Sequence, residues 1–175
     1  GLGLLSRSLL GWTCGFHDFD LDGDKDLFVV NGHVYPNATM GTMDSPRNQP
    51  ILLLERIGNR FERVKLPGEY SDRAAVFGDL DSDGDTDVII AERCGDVRIL
   101  RNDTQHEKPL TIKLPRQYLG TKINVTFEDG TTATSWNTDG FGFQSSSVSD
   151  KYYFHKPIDS VQVTWPNGEK EFVAK

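Results

Sequence analysis

Ten aspartates mark where this chain could do chemistry. Residues 18 to 26 read DFDLDGDKD and, 61 positions later, residues 79 to 87 read DLDSDGDTD. Asp18, Asp20, Asp22, Asp24 and Asp26 alternate through the first stretch, and Asp79, Asp81, Asp83, Asp85 and Asp87 through the second. Like charges at that spacing repel by roughly 1 kcal/mol or more per pair, so a chain that crowds them twice implies a cation among them. Carboxylates at loop positions 1, 3, 5 and 9 around a glycine at position 6 let a tight turn wrap oxygen ligands around one hard ion. Gly23 and Gly84 stand where such a turn demands a positive φ.

The side chains expected to bind are those of Asp18, Asp20, Asp22 and Asp26 in the first loop and Asp79, Asp81, Asp83 and Asp87 in the second. Asp24 and Asp85, at position 7, are expected to lend their backbone carbonyls. An all-oxygen set without cysteine or convergent histidine disfavours zinc, and flexible oxygen ligands suit Ca²⁺ better than Mg²⁺ or Mn²⁺. Two Ca²⁺ sites are the expectation, and a metal-free cluster of Asp-rich turns is the alternative. An EF-hand needs a Glu at position 12 and helical flanks; Val29 and Ile90 stand there, inside β-branched runs.

Bond-breaking chemistry has little to work with. The chain holds no G-x-S-x-G elbow, H-E-x-x-H, P-loop or dinucleotide fingerprint. Carboxylates engaged with calcium make poor general acids or bases near neutral pH, so the expected activity is coordination and not catalysis.

The elements that must position these loops are short strands. Aligning GFHDFDLDGDKDLFVVNGH with VFGDLDSDGDTDVIIAERC matches the aromatic before each loop, its glycine and the apolar run after it, which reads as an internal repeat. The first unit, about 11–64, offers a strand to Phe16, another at Leu27 to Asn31, then ILLLER and RFERVKL; the second, about 72–104, offers RAAVFGD, DVIIAE and VRILRN. From residue 105 the pattern changes to PLTIKL, KINVTF, TTATSW, IDSVQVTW and KEFV, with EDG and PNG as hairpin turns. No helix is expected. The fold class is all-β: two propeller-type blades with calcium loops in residues 1–104, then a small sandwich-like β domain in 105–175.

Composition narrows the partners. The formal charge is −7 over 175 residues, and without the ten loop aspartates the remainder would carry +3. The acidity is local, and with no Lys/Arg stripe a nucleic-acid partner is not expected. Apolar runs such as LFVV and VIIA are far shorter than the roughly 20 residues a membrane span requires. The opening GLGLLSRSLLG, interrupted by Arg7, does not read as a signal peptide, and a start at glycine suggests a processed product or a fragment.

Asn37, Asn102 and Asn124 each begin a glycosylation sequon, which favours a secreted or cell-surface location. Cys14 and Cys94 are the only cysteines, and a disulfide or two buried thiols are both open. His17 and His33 flank the first loop and its strand and read as structural residues. Trp136, Phe141, Phe143, Tyr152, Tyr153 and Phe154 read as the core of the C-terminal domain, with sugar stacking as the alternative.

The two Asp-loop segments resemble FG-GAP/VCBS repeats, the calcium-loop blades of integrin-type β-propellers. GTKINVTFEDG, GFGFQSS and IDSVQVTWPNG resemble the ASPIC/UnbV domain that follows such repeats in proteins similar to cartilage acidic protein. Members usually carry an HFGLG-like stretch where this chain reads KYYFHKPID, and more blades than two. The resemblance implies a calcium-binding, non-catalytic extracellular interaction or adhesion module with a protein or glycan partner. Two blades cannot close a ring that needs at least four, so a longer parent chain or an oligomer is expected. A carbohydrate-binding or carbohydrate-active propeller protein, and a structural subunit of a filament or large complex, are the alternatives.

Overall fold

The structure is a computed structural model and describes residues 2–38, 45–114, 118–138, 140, 142–146 and 151–173. It is all-β apart from one helical turn, Leu2–Leu5, which the sequence did not lead us to expect. Short runs of β-branched and aromatic residues form the strands β1 (Gly11–His17), β2 (Asp26–Asn31), β3 (Leu52–Ile57), β4 (Arg60–Val64), β5 (Asp72–Gly78), β6 (Asp87–Glu92) and β7 (Val97–Leu100). They continue as β8 (Leu110–Lys113), β9 (Lys122–Phe127), β10 (Thr132–Trp136), β11 (Lys151–Phe154), β12 (Ile158–Thr164) and β13 (Lys170–Val173). Among the described residues the sheets are β1-β2-β3-β4, β5-β6-β7, β10-β9-β12-β13 and β11-β8, and none closes on itself.

The first two sheets do the same things at positions 61 apart. The β1–β2 register slips between Gly11 and Thr13, and the β5–β6 register slips between Asp72 and Ala74. These bulges place Trp12 and Arg73 at equivalent points, and the Arg73 guanidinium lies 4.5 Å from the Trp12 ring centroid.

One core joins these sheets. Phe28, Val30 and Ile51 of the first meet Ala75, Phe77, Val88 and Ile90 of the second. The buried face of the first sheet carries Phe28 and Val30, whereas Val88 and Ile90 of the second correspond to Leu27 and Val29 on the opposite face. The sheets therefore stack front to back. The front of the second sheet carries Val97 and Ile99, 65% and 63% exposed; their counterparts Ile51 and Leu53 lie in the shared core.

A second core belongs to the C-terminal sheets. Alternation along β9 turns Ile123, Val125 and Phe127 inward, where they meet Val161 and Val163 of β12, Leu114, and Phe154 of β11. Strand β11 lies in the KYYFHKPID stretch and pairs with β8 from Lys151 to Phe154, which delivers Phe154 to that core. Gly142 bridges to Thr13, so close that an added Cβ would come within 2.6 Å of the threonine side chain. Phe143 donates its N–H to the Trp12 carbonyl, with the two rings edge-on at 4.9 Å.

Two expectations need correction. Of the aromatic group, Phe154 is core and Tyr152 is partly so, but Trp136 and Phe143 are 53% and 42% exposed, and Phe141 lies outside the described residues. The cause is the pleat of β10, which buries Ser135 and so faces Trp136 outward. Cys14 and Cys94 are both free and exposed, neither paired nor buried. Cys14 lies opposite Val29 on the outer face of the first sheet, and Cys94 sits in a turn with φ 57°.

Candidate metal centre

Each Asp-rich segment links the first two strands of its sheet and is held by its ninth residue. Asp26, 2% exposed, accepts the N–H groups of Phe19 at 3.0 Å and Arg56 at 2.8 Å, one on each carboxylate oxygen. Asp87, 1% exposed, accepts those of Leu80 and Asn102, both at 2.8 Å. Leu21 and Ser82 take φ 66° and 69°, and Gly23 and Gly84 take φ 92° and 103°. The fifth residue repeats too: Asp22 accepts the Asp24 N–H at 2.9 Å, and Asp83 accepts the Asp85 N–H at 3.2 Å. These carboxylate acceptors replace strand hydrogen bonds that a reversing backbone cannot make.

Folded in this way, the loops converge carboxylates. Ligand oxygens of Asp18, Asp20 and Asp22 lie within 4.8 Å of one another, as do those of Asp79, Asp81 and Asp87. Among the described residues, buried Asp18 Oδ1 and Asp24 Oδ1 have no hydrogen-bond partner. Burial pushes the Asp18 carboxyl up to about 7, helped by Asp22, Asp20 and Asp26 and opposed by the Gly23 N–H. Asp26 rises to about 6 through burial, against the N–H groups of Arg56 and Phe19. Unmatched oxygens whose ionisation is costly are what a hard cation would satisfy. The residues present therefore fit Ca²⁺, which would be held by Asp18, Asp20 and Asp22 in one loop and Asp79, Asp81 and Asp87 in the other. Asp87 keeps capacity for an ion because each carboxylate oxygen offers about two lone-pair directions.

The remaining members are placed differently. Asp26 serves as the turn's internal acceptor and is not in the convergent group of its loop. The Asp24 side chain lies 3.8 Å from Arg56 Nε. Asp83 and Asp85 converge instead with His106.

Side chains from farther along the chain cover both loops. Tyr153 donates its hydroxyl to Asp79 Oδ2 at 2.7 Å. A Cβ added to Gly23 would meet the Lys156 side chain at 2.7 Å, and one added to Gly84 would meet Pro109 at 2.8 Å. Asn102 donates Nδ2 to the Phe19 carbonyl at 2.8 Å and so ties the first loop to the end of the second sheet. Between loops and C-terminal sheets lies a cavity of about 160 Å³, lined among others by Asp18, Lys25, Asp79, Trp136, Tyr152 and His155.

Residues 112–175 match the family model described as ASPIC and UnbV. The ASPIC/UnbV segment thus supplies Tyr153 and Lys156 to the loops, while every loop aspartate lies outside the match. No curated protein matches the chain.

Other candidate residues have structural surroundings. Burial, with Lys25 nearby, lowers the His17 pKa to about 3, and its ring stacks on Phe77 at 4.5 Å. His33 is buried and accepts the Tyr35 N–H through Nδ1. Asn37 is exposed in a turn, and Asn124 sits on the outer face of β9, where it accepts the Thr134 hydroxyl. Asn102 differs, because Nδ2, the atom a glycan would take, is committed to Phe19. Sequence reasoning missed His106, His155 and Tyr153 as neighbours of the second loop. No local spacing could flag them, since they arrive through the packing of separate sheets.

Proposed function

We propose that this chain is a calcium-binding, non-catalytic extracellular interaction module, built of two FG-GAP/VCBS-type blades and an ASPIC/UnbV domain. The observation that carries the reading is the convergence of three carboxylates in each of two loops whose fifth and ninth residues accept equivalent hydrogen bonds, with the buried Asp18 Oδ1 left unmatched. All-oxygen donors on a short turn suit Ca²⁺. The ions would neutralise the loops and fix the surface that Tyr153 and Lys156 cover, so calcium sets the geometry between blades and C-terminal domain. The front-to-back stack supports a blade reading: the exposed face with Val97 and Ile99 is the counterpart of a face that a neighbouring sheet covers. A further blade, from the same protein or another copy, is the occupant that this symmetry fits. Exposed Asn37 and outward Asn124 support a secreted or cell-surface setting.

The test is a thermal unfolding scan in 1 mM calcium and again in excess chelator. With a dissociation constant of about 10 μM, linkage gives roughly 2.7 kcal/mol per site, and two sites shift the midpoint by about 10 °C or more. Equal midpoints, with no calcium bound by equilibrium dialysis, would reject the calcium reading.

A glycan ligand is the second reading, favoured by the cavity between the loops and the exposed Trp136. Chelator-sensitive binding on a glycan array supports it, and binding confined to proteins excludes it.

A further inference from the structure

We infer that Asp83, Asp85 and His106 form a separate site for a divalent transition-metal ion, Zn²⁺ foremost, beside the all-oxygen group of Asp79, Asp81 and Asp87. Ligand atoms of the three residues lie within 4.8 Å of one another. Asp85 is 1% exposed, and among the described residues neither of its carboxylate oxygens has a hydrogen-bond partner. A buried carboxylate with both oxygens unmatched is an expensive feature unless a positive group meets it.

The orientation of His106 indicates what that group is. Its Nδ1 lies 2.8 Å from the Glu107 carbonyl, which can only accept, so Nδ1 carries the proton. In its metal-ligating form, with Nδ1 protonated, the ring presents the Nε2 lone pair toward Asp85 Oδ2, 4.0 Å away. Two acceptors facing each other at a distance too long for a hydrogen bond leave room for an ion between them. Donors each about 2.1 Å from one tetrahedral zinc lie about 3.4 Å apart, so the Asp85–His106 pair at 4.0 Å needs to close by only about half an ångström to share one ion. Asp83 completes the set after a small closure. A ligating imidazole that donates its other N–H to a backbone carbonyl is the usual outer-shell arrangement of metal-bound histidine.

The wall of the site is also imidazole. The His155 ring packs edge-on against His106 with centroids 4.6 Å apart, and its buried Nδ1 has no hydrogen-bond partner among the described residues. The first loop lacks this arrangement. Its seventh residue, Asp24, faces Arg56 and not a histidine. Mixed nitrogen and oxygen donors prefer Zn²⁺ over Ca²⁺, whereas the neighbouring Asp79, Asp81 and Asp87 offer oxygen alone.

The experiment is isothermal titration of the whole chain with Zn²⁺, in 1 mM calcium and in calcium-free buffer, with His106→Ala, Asp85→Asn and the exposed β4 control Glu62→Gln. One Zn²⁺ per chain should bind in both buffers, at least tenfold more weakly in the first two variants and unchanged in the control. Histidine ¹⁵N resonances of the unmutated protein should show Nε2 of His106 perturbed by Zn²⁺ with the other histidines less affected, which keeps the test valid where a variant fails to fold. Unchanged affinity in His106→Ala, or zinc binding that saturating calcium abolishes, would overturn the site. The calcium-free titration reads out even where calcium itself fails to stabilise the protein, so the two readings fail separately.

Discussion

The first and second Asp loops share a backbone and differ in company. Asp26 and Asp87 hold their turns with the same pair of hydrogen bonds, and the positive φ angles recur at the same positions. Around them the side chains diverge. The first loop meets the cations Lys25, Arg56 and Lys156, and the second meets Tyr153, His106 and His155. A repeated turn therefore conserves the means of gathering carboxylates, while elements distant in sequence decide what the gathered carboxylates can bind.

The largest effect should come from removing a ninth-position carboxylate. Asp26→Ala or Asp87→Ala leaves two backbone N–H groups without their charged acceptor, a loss of about 3 to 5 kcal/mol. For a chain of this size that lowers the unfolding midpoint by roughly 10 to 15 °C. If the loops are equivalent as turns, the two variants should match in chelator, as followed by circular dichroism. A midpoint that falls in only one variant breaks the equivalence.

Next in size is the effect of pH on the metal-free chain. Burial raises Asp18 and Asp85 to about 7 and Asp26 and Asp72 to about 6, from an ordinary value of 3.8. Stability that depends on protonated carboxyls is fully present below about 4 and is lost as pH rises through 6 to 7. His17, lowered to about 3, acts the other way, contributing above its ordinary 6.5 and losing that contribution as pH falls. Four carboxyls outweigh one imidazole, so the midpoint in chelator should be higher at pH 5 than at pH 8. Calcium, by favouring the ionised loops, should reverse the order. A midpoint in chelator that rises with pH would show that the carboxyls are not held as the folded chain implies.

Much of this fold was legible in the sequence. Strands at Gly11–His17 and Lys122–Phe127 follow from alternating apolar residues, and Asp26–Asn31 from a continuous β-branched and aromatic run, each bounded by turn residues. The loops were legible because all five carboxylates and the glycine lie within nine residues. Strand β11 was not, since Lys151–Phe154 carries three consecutive aromatics without alternation and is fixed only by pairing with β8. His106 was invisible for a related reason. Its role comes from a coil that returns to the second loop, and no periodicity records such a return.

Tyr153 offers a smaller and more selective lever. Its hydroxyl bonds to an ionised carboxylate of the second loop, worth about 1.5 to 3 kcal/mol, and the first loop has Lys156 packed on Gly23 in its place. Tyr153→Phe should therefore destabilise the chain more in chelator than in calcium, because a bound ion takes over the neutralisation of Asp79. Lys156→Met, which keeps the packing and removes the charge, should cost less than 1 kcal/mol in either buffer. Equal losses for Tyr153→Phe in both buffers would mean that Asp79 does not share its charge with an ion.

Asn102 is where the two loops are joined, and the smallest effect should appear there. Its backbone N–H serves Asp87 in the second loop while its Nδ2 serves Phe19 in the first. Asn102→Ala keeps the former and removes the latter, a neutral hydrogen bond worth about 1 kcal/mol, along with the two Oδ1 bonds from the Thr104 N–H and hydroxyl, which half-buried Thr104 can make to water instead. The same commitment bears on glycosylation. A glycan on Nδ2 must displace the Phe19 carbonyl, whereas Asn37 is exposed and Asn124 faces outward. Expressed through a eukaryotic secretory route, the chain should carry glycan at Asn37 or Asn124 and none at Asn102, as read by mass spectrometry after enzymatic deglycosylation. Occupancy at Asn102 in folded, calcium-loaded protein would mean that the tie between the loops is dispensable. The two loops would then have to be treated as independent sites, with their difference in side-chain company the only difference that matters.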